Sequence, residues 1–414
     1  MNSSISQKRI VQAIIICLML VYLFIESERC GDFLIFLSAS KDLFAGTNIY
    51  INTYFDGYHY FYSVFFAIVL YPFTFLNTHF STFLWLLFNA FLLYRLYRII
   101  NSFLPTHELT AKQFSILWIL TGIFSARLVF ENLHVGQMTI FLLYLCMEGI
   151  SRIRSGQKIT GAFLIALGIN IKLLPIVILP YLFYRKEFKA SLFIILFYLL
   201  LLYLPVLFIG MGQNALLLKT WGALINPLNT NHILDVDERS FHGLSTLLSV
   251  LLVEHVPDTF ALKIKRNILD ISLQQLKYTL MIARLCLVAF TLYFMRTLPF
   301  KGPVNTDYRY REMSYILLLI PLIFPHQQHY AFLFIIPAFA YCVFYMIRYY
   351  HAMSSLKRNS VIIMLSLIYI VVNLKLLLGE YNYYYEHFKI LTYGALLLIL
   401  VLGMLQPKRD PETA

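Results

Sequence analysis

Leu192-Phe193-Ile194-Ile195-Leu196-Phe197-Tyr198-Leu199-Leu200-Leu201-Leu202-Tyr203-Leu204-Pro205-Val206-Leu207-Phe208-Ile209 contains no charge and no alternation of apolar with polar residues. A helix needs about 20 apolar residues to cross hydrocarbon, and a barrel strand would alternate, so this run reads as a membrane helix. Comparable runs fall at residues 10–25, 58–76, 80–96, 114–130, 138–150, 159–184, 278–295, 313–324, 331–347, 361–378 and 390–405, whereas 244–253 is too short to cross alone. The expectation is an all-α integral membrane protein, a polytopic bundle of about ten to thirteen transmembrane or re-entrant helices, because helices satisfy their own backbone in lipid.

Composition agrees. The 414 residues are 60% hydrophobic and only 13% charged, with a mean hydropathy of +0.72, against roughly a quarter charged in soluble proteins. The net charge of +12 does not imply nucleic acid, since the basic residues sit in short clusters at the ends of apolar runs. Five scattered cysteines, Cys17, Cys30, Cys146, Cys286 and Cys342, have no metal spacing and predict neither a disulfide framework nor a metal site. Lys8-Arg9 followed by residues 10–25, without a small-residue cleavage site, reads as an uncleaved first span. With no strong repeat and no long linker, residues 1–414 read as one polytopic unit ending in a polar cytosolic tail at 405–414.

Basic clusters set the expected orientation. Lys8-Arg9, Arg95 with Arg98, Arg152 with Arg154 and Lys158, Arg185-Lys186 with Lys189, Arg296 to Arg311, Arg348 to Arg358 and Lys408-Arg409 are assigned to the cytosol. Residues 26–57, 131–137, 210–243, 325–330 and 379–388 then face outward. Two places resist alternation. Residues 159–184 have basic clusters at both ends, which fits a re-entrant hairpin broken at Asn170 to Pro175, and two full crossings at 58–76 and 80–96 would strand Arg95 and Arg98 outside.

The outward segments hold the polar residues that topology leaves unexplained. Asp32, in Cys30-Gly31-Asp32-Phe33, suits equally a general base at the mouth of a membrane cavity and a residue at the start of a helical piece over 33–44. Asp42 and Asp56 share its loop, and Asp56-Gly57 reads as a turn. In Phe324-Pro325-His326-Gln327-Gln328-His329-Tyr330 the two histidines fit one helix face, but no third metal ligand is evident. Gln137, in Glu131-Asn132-Leu133-His134-Val135-Gly136-Gln137, either offers amide hydrogen bonds to a ligand or caps the next helix, and Arg127 is placed to pair with Glu131. Lys172, in Gly168-Ile169-Asn170-Ile171-Lys172-Leu173-Leu174-Pro175, needs a partner or a watery cavity, or must snorkel to the cytosolic surface. Asp235-Val236-Asp237-Glu238-Arg239-Ser240-Phe241-His242-Gly243 lies in the longest outer loop, with Asp235 and Asp237 read as solvated. Tyr54, Tyr58, Tyr60 and Tyr62 lie beside Asp32 as candidates for ligand contact, and Tyr381 to Tyr385 read as an interfacial belt.

In their order these segments resemble glycosyltransferase family 87, polytopic enzymes of the GT-C type that take a sugar, typically mannose, from a polyprenyl phosphate. Asp32 matches the catalytic acid of the family's first outer loop, Gly136-Gln137 its Gly-Gln pair, Lys172 to Pro175 its Lys-x-x-Pro break, and Ser240 with Gly243 its Asn-x-Ser…Gly stretch. His329-Tyr330 matches a late His-Tyr pair, although Phe324 and Gln327 or Gln328 replace the family's Ser and Trp. The resemblance implies Asp32 as general base with His329 beside it. It also implies a donor phosphate site of Lys172, Gln137 and Tyr330, to which we add Arg239 and His242, and sugar or acceptor contacts from Tyr58, Tyr60 and Tyr62. It implies inversion, no cofactor and no metal. The implied partners are a polyprenyl-phosphate-sugar donor, a lipid-linked or cell-envelope glycan acceptor and membrane lipids, with no nucleic acid. The implied location is the bacterial inner membrane, with the active-site cavity on its outer face. The rival readings are a transporter or flippase for a lipid or lipid-linked sugar, and an envelope polysaccharide polymerase or ligase using Arg239 and His242.

Overall fold

The computed structural model describes residues 2–226, 233–236, 238–295, 299–300 and 306–406. Among these the regular structure is helical, with only two isolated β-bridges, Thr53 to His59 and Phe241 to Gln328. The first half comprises α1 (Asn2–Ser27), α2 (Gly31–Phe44), α3 (Val64–Leu70), α4 (Thr78–Phe103), α5 (Ala111–Val135), α6 (Thr139–Arg154), α7 (Lys158–Ile171), α8 (Ile178–Tyr184) and α9 (Phe188–Tyr203). There follow α10 (Val206–Ile209), α11 (Met211–Ile225), α12 (Leu244–Leu252), α13 (Leu273–Met295), α14 (Thr306–Ile323) and α15 (Ile336–Tyr349). The chain closes with α16 (Ser355–Asn373), α17 (Lys375–Leu378), α18 (Asn382–His387) and α19 (Ile390–Met404). Asp237, Arg296 and the Lys408-Arg409 tail lie outside the described residues.

Seven of the described helices are long and apolar enough to cross a membrane, or eight if the bent pair Lys375–His387 and Ile390–Met404 is one span. The higher count expected from sequence includes Val64–Phe75, Lys158–Ile171 and Leu174–Tyr184, which are too short to cross alone. The apolar window of His329–Ala352 is 94% buried and that of Phe188–Ile209 only 17%, so α15 forms the centre of the bundle and α9 its perimeter. Phe124 of α5 stacks on Phe339 of α15 with centroids 3.5 Å apart.

At both places that resist alternation the structure holds helices too short to cross alone. The run at 58–76 is not a crossing helix, because only Val64–Phe75 of it is helical. The crossing segment there is α4, whose Arg95 reaches Glu148 of α6 at 3.4 Å, while Arg154 donates to the Ser102 carbonyl at 3.2 Å. Those basic residues therefore gather at one end of the bundle. The run at 159–184 breaks at Lys172, as its Pro175 predicts, and the ends of the broken segment adjoin, with Lys158 Nζ 2.7 Å from Glu187 Oε2. The Ile171 carbonyl freed at the break accepts from the Ser63 N–H at 3.2 Å, and the Ser63 hydroxyl donates to the Asn170 side chain at 2.9 Å. Such substitution is what non-helical backbone within an apolar bundle requires. At the same basic end Arg185 and Glu312 form a buried ion pair, and Tyr181 donates to Glu312 at 3.2 Å.

Candidate active site

Two glycines set the geometry at the opposite end of α5. Its last turn closes on Gly136, which takes the left-handed conformation (φ 67°) and turns the chain so that Gln137 follows at once. Gly31, at the start of α2, also has positive φ (49°), and a Cβ there would overlap the Val135 carbonyl. A Cβ at Gly136 would in turn meet the Cys30 carbonyl oxygen and Phe33 Cβ, each at 3.3 Å. The two turns interlock backbone against backbone, and Trp85 Nε1 pins the Gly136 carbonyl at 2.9 Å. Asp32 and Gln137 are thereby brought side by side.

Gln137 donates its amide N–H to Asp32 Oδ2 and accepts the Tyr62 hydroxyl at 3.1 Å. Its side chain is buried in this role and does not cap α6, whose N-cap is Met138 without a side-chain hydrogen bond. Asp32 lies in the first turn of α2, where unpaired helix N–H groups favour a carboxylate. Lys172, extended at the break after α7, places Nζ 5.3 Å from the Tyr62 ring centroid and 5.9 Å from that of Tyr330. Asp32, Lys172, Tyr58, Tyr62 and Tyr330 all line one cavity of about 150 Å³.

The same cavity contains residues to which the sequence reading gave no role. Glu238 lines it, accepting from Gln328 Nε2 at 2.7 Å and from the Ser240 hydroxyl at 3.3 Å. Burial pushes its carboxyl up to about 7, the Ser240 hydrogen bond opposes the rise, and the Asp32 charge adds to it. His326, at φ 55°, also lines the cavity and holds Asp235 through Nδ1 at 2.9 Å. Asp235 is not solvated, as the sequence had suggested. It is buried and takes hydrogen bonds from Ser245 at 2.7 Å and Thr246 at 3.0 Å, because the loop folds back over α12. Burial alone would raise its carboxyl, but His326 and Ser245 hold it below its ordinary value. The two histidines do not share a helix face, since His326 sits in the turn before the 3-10 helix that begins at His329.

The remaining candidates lie elsewhere. Tyr60 is fully buried and donates to the Ser63 carbonyl at 2.9 Å, a packing role behind the cavity. Asp42 accepts from Asn52 at 2.9 Å away from the cavity, and Phe55–Gly57 forms the expected turn. His329 and Arg239 line a second cavity of about 410 Å³, together with Lys375, Asn382, Tyr383 and Glu386. His242 is fully buried beneath it, with Nε2 2.6 Å from Glu386, and burial pulls its imidazole below its ordinary value against the pull of the Glu386 charge. Arg127 pairs with Glu131 at 3.0 Å as the spacing predicts, and also takes up Tyr385 at 2.9 Å. Tyr385 is therefore buried and outside any interfacial belt, whereas Tyr381, Tyr383 and Tyr384 are exposed. Lys375 and Glu386 had no motif to announce them, and Glu238 was masked by its acidic neighbours.

Among the described residues no group of three or more His, Cys, Asp and Glu side chains is arranged to hold a metal ion. Compared with known protein families, residues 60–325 match glycosyltransferase family 87, a stretch that includes Gln137, Lys172, Glu238 and Arg239 and is flanked by Asp32 and His329. No curated protein and no solved structure matches the chain. With the family covering well over half of its 414 residues and seven candidate membrane spans in its fold, the chain belongs to glycosyltransferase family 87 and is a multi-pass membrane glycosyltransferase.

Proposed function

We propose that the Asp32 cavity transfers a sugar, mannose being the family's usual one, from a polyprenyl-phosphate donor to a hydroxyl of a lipid-linked or cell-envelope glycan, with inversion at the anomeric carbon. One observation carries this reading. A carboxylate oriented by Gln137 and a lysine bracketed by two tyrosine rings line the same cavity.

In the proposed step the acceptor oxygen bonds to the anomeric carbon as the bond from that carbon to the phosphate oxygen breaks. Asp32 takes the acceptor's proton, and the electron pair of the broken bond leaves with the phosphate. Lys172 holds the leaving phosphate as a point charge, with Tyr330 beside it. A single displacement inverts the centre and needs no sugar bound to the enzyme. Gln137 acts as a positioning residue for Asp32, and Tyr58 and Tyr62 offer surfaces to the sugar. The basic clusters at the other end of the bundle favour an outward-facing cavity in a bacterial inner membrane.

The test is to incubate the purified protein with radiolabelled polyprenyl-phosphate-mannose and extracted membrane lipids, then to determine the anomeric configuration of the product by NMR. Transfer with inverted configuration is the expected result. Retention would contradict the single displacement. Transfer from a different polyprenyl-linked sugar would correct the sugar alone.

A further inference from the structure

The second cavity takes no part in the step just described. A thin partition separates it from the first. Phe241 bridges to Gln328, the His242 N–H donates to the Gln327 carbonyl at 2.8 Å, and the His329 N–H donates to the Ser240 carbonyl at 3.2 Å. Glu238, whose residue lines the first cavity, accepts the hydroxyl of Ser240, whose residue lines the second. One hydrogen-bonded pair therefore spans the two spaces.

The lining of the second cavity favours a neutral ligand. Its two cations, Arg239 and Lys375, are matched by two carboxylates, Glu380 and Glu386. Lys375 is already engaged, 2.9 Å from Glu386 and 2.7 Å from His329 Nε2, and the Arg239 guanidinium lies 3.8 Å over the Tyr383 ring. A phosphate entering here would meet as much repulsion as attraction. The rest of the lining includes uncharged polar side chains, Ser240, Asn382 and Tyr383 among them. The Glu386 side chain, 6% exposed, still reaches the cavity. Donors and acceptors interleaved without net charge, beside an exposed tyrosine and in a volume of about 410 Å³, suit a hydroxyl-rich sugar. Ligand pockets typically run about 300–1,000 Å³.

We propose that the second cavity binds the neutral glycan part of the acceptor, the sugar units beyond the one that reacts, so that the acceptor lies across the Glu238 and Ser240 pair with its attacking hydroxyl at Asp32. The position of the reacting unit rests on the Asp32 reading above; the preference of the cavity for a neutral glycan does not. The acceptor is then an oligosaccharide carrier, and a single-sugar acceptor forgoes these contacts.

Two measurements test this. In the first, the full-length protein in detergent is titrated with soluble tri- and tetrasaccharides of the manno, gluco, galacto and arabino series, using saturation-transfer NMR. At least one should bind, about tenfold more weakly to Asn382→Ala, the loss expected for one hydrogen bond. Tyr381→Ala, an exposed neighbour outside the lining, should bind as wild type, and inorganic phosphate should not displace the sugar. Absence of binding across the whole panel, unchanged affinity in Asn382→Ala, or displacement by phosphate would overturn the proposal. In the second, Asn382→Ala should raise the KM for an oligosaccharide acceptor while leaving the donor KM and the KM for a single-sugar acceptor unchanged. An equal rise in donor KM would overturn it. If wild type transfers nothing yet Asn382→Ala still loses sugar binding, the Asp32 reading fails and the glycan site stands.

Discussion

Gln137 hydrogen-bonds the Asp32 carboxylate from a turn whose backbone interlocks with the start of α2. The Tyr62 hydroxyl, bonded to the opposite end of the same amide, fixes which way the amide faces. A carboxylate held in this way keeps a fixed orientation, as the general base proposed above would need.

Gln137→Ala should lower kcat by about tenfold with little change in donor KM, the loss of one charge-assisted hydrogen bond. Gln137→Glu should lower it further, because it sets a second carboxylate against Asp32. Steady-state kinetics with matched melting curves checks this. A pure KM effect would instead place Gln137 on the substrate.

Lys172 has two aromatic rings within 6 Å and lines the cavity. Lys172→Ala should raise the donor KM by roughly ten- to a hundredfold, since a charge-assisted contact is worth about 1.5–3 kcal/mol. Lys172→Arg should recover part of the loss, as the charge is kept and the geometry altered. Donor titration at saturating acceptor measures both. Equal donor KM in all three proteins would remove Lys172 from the phosphate site.

Glu238 gives stability a pH dependence. Its carboxyl is pushed, chiefly by burial, from 4.5 to about 7, so the folded chain holds a proton that the unfolded chain releases at lower pH. The stabilisation is full below the unfolded value and is lost as pH rises through about 7. Wild type should therefore lose melting temperature relative to Glu238→Gln between about pH 5 and pH 8. Parallel curves for the two proteins would contradict the assignment.

At the other end of the bundle Arg185 and Glu312 are buried together. Glu312→Ala leaves a buried guanidinium unpaired and should destabilise by about 3–5 kcal/mol. Replacing both partners, as Arg185→Met with Glu312→Leu, should cost less. Thermal unfolding in one detergent compares them.

Apolar run length disclosed the helical membrane fold, and the Lys-x-x-Pro pattern located the break at Lys172, because a missing donor and a stranded charge are both visible in one chain. Run length could not separate α3 from a crossing helix. The hydropathy of Tyr58 to Leu76 is continuous, and its first residues are extended only because they pack over α2 and the Lys172 break. The motifs around Asp32, Gln137, Lys172 and Tyr330 converge on one cavity. His329 sits next to Tyr330 in sequence, yet its side chain enters the other cavity, since the partition runs between those two residues. Glu386, buried against His242, lay hidden in a tyrosine-rich stretch whose fold-back onto the Gly243 loop only long-range contacts reveal.

The account turns on Asp32. Its most direct test is transfer of radiolabelled mannose from polyprenyl-phosphate-mannose by wild type and by an Asp32→Asn variant of unchanged melting temperature. The variant preserves the shape of the side chain and removes only its basicity. A fall of about 10²- to 10⁴-fold in kcat, the contribution of a general base, with donor affinity retained, is the predicted result. Transfer by Asp32→Asn at the wild-type rate would contradict it.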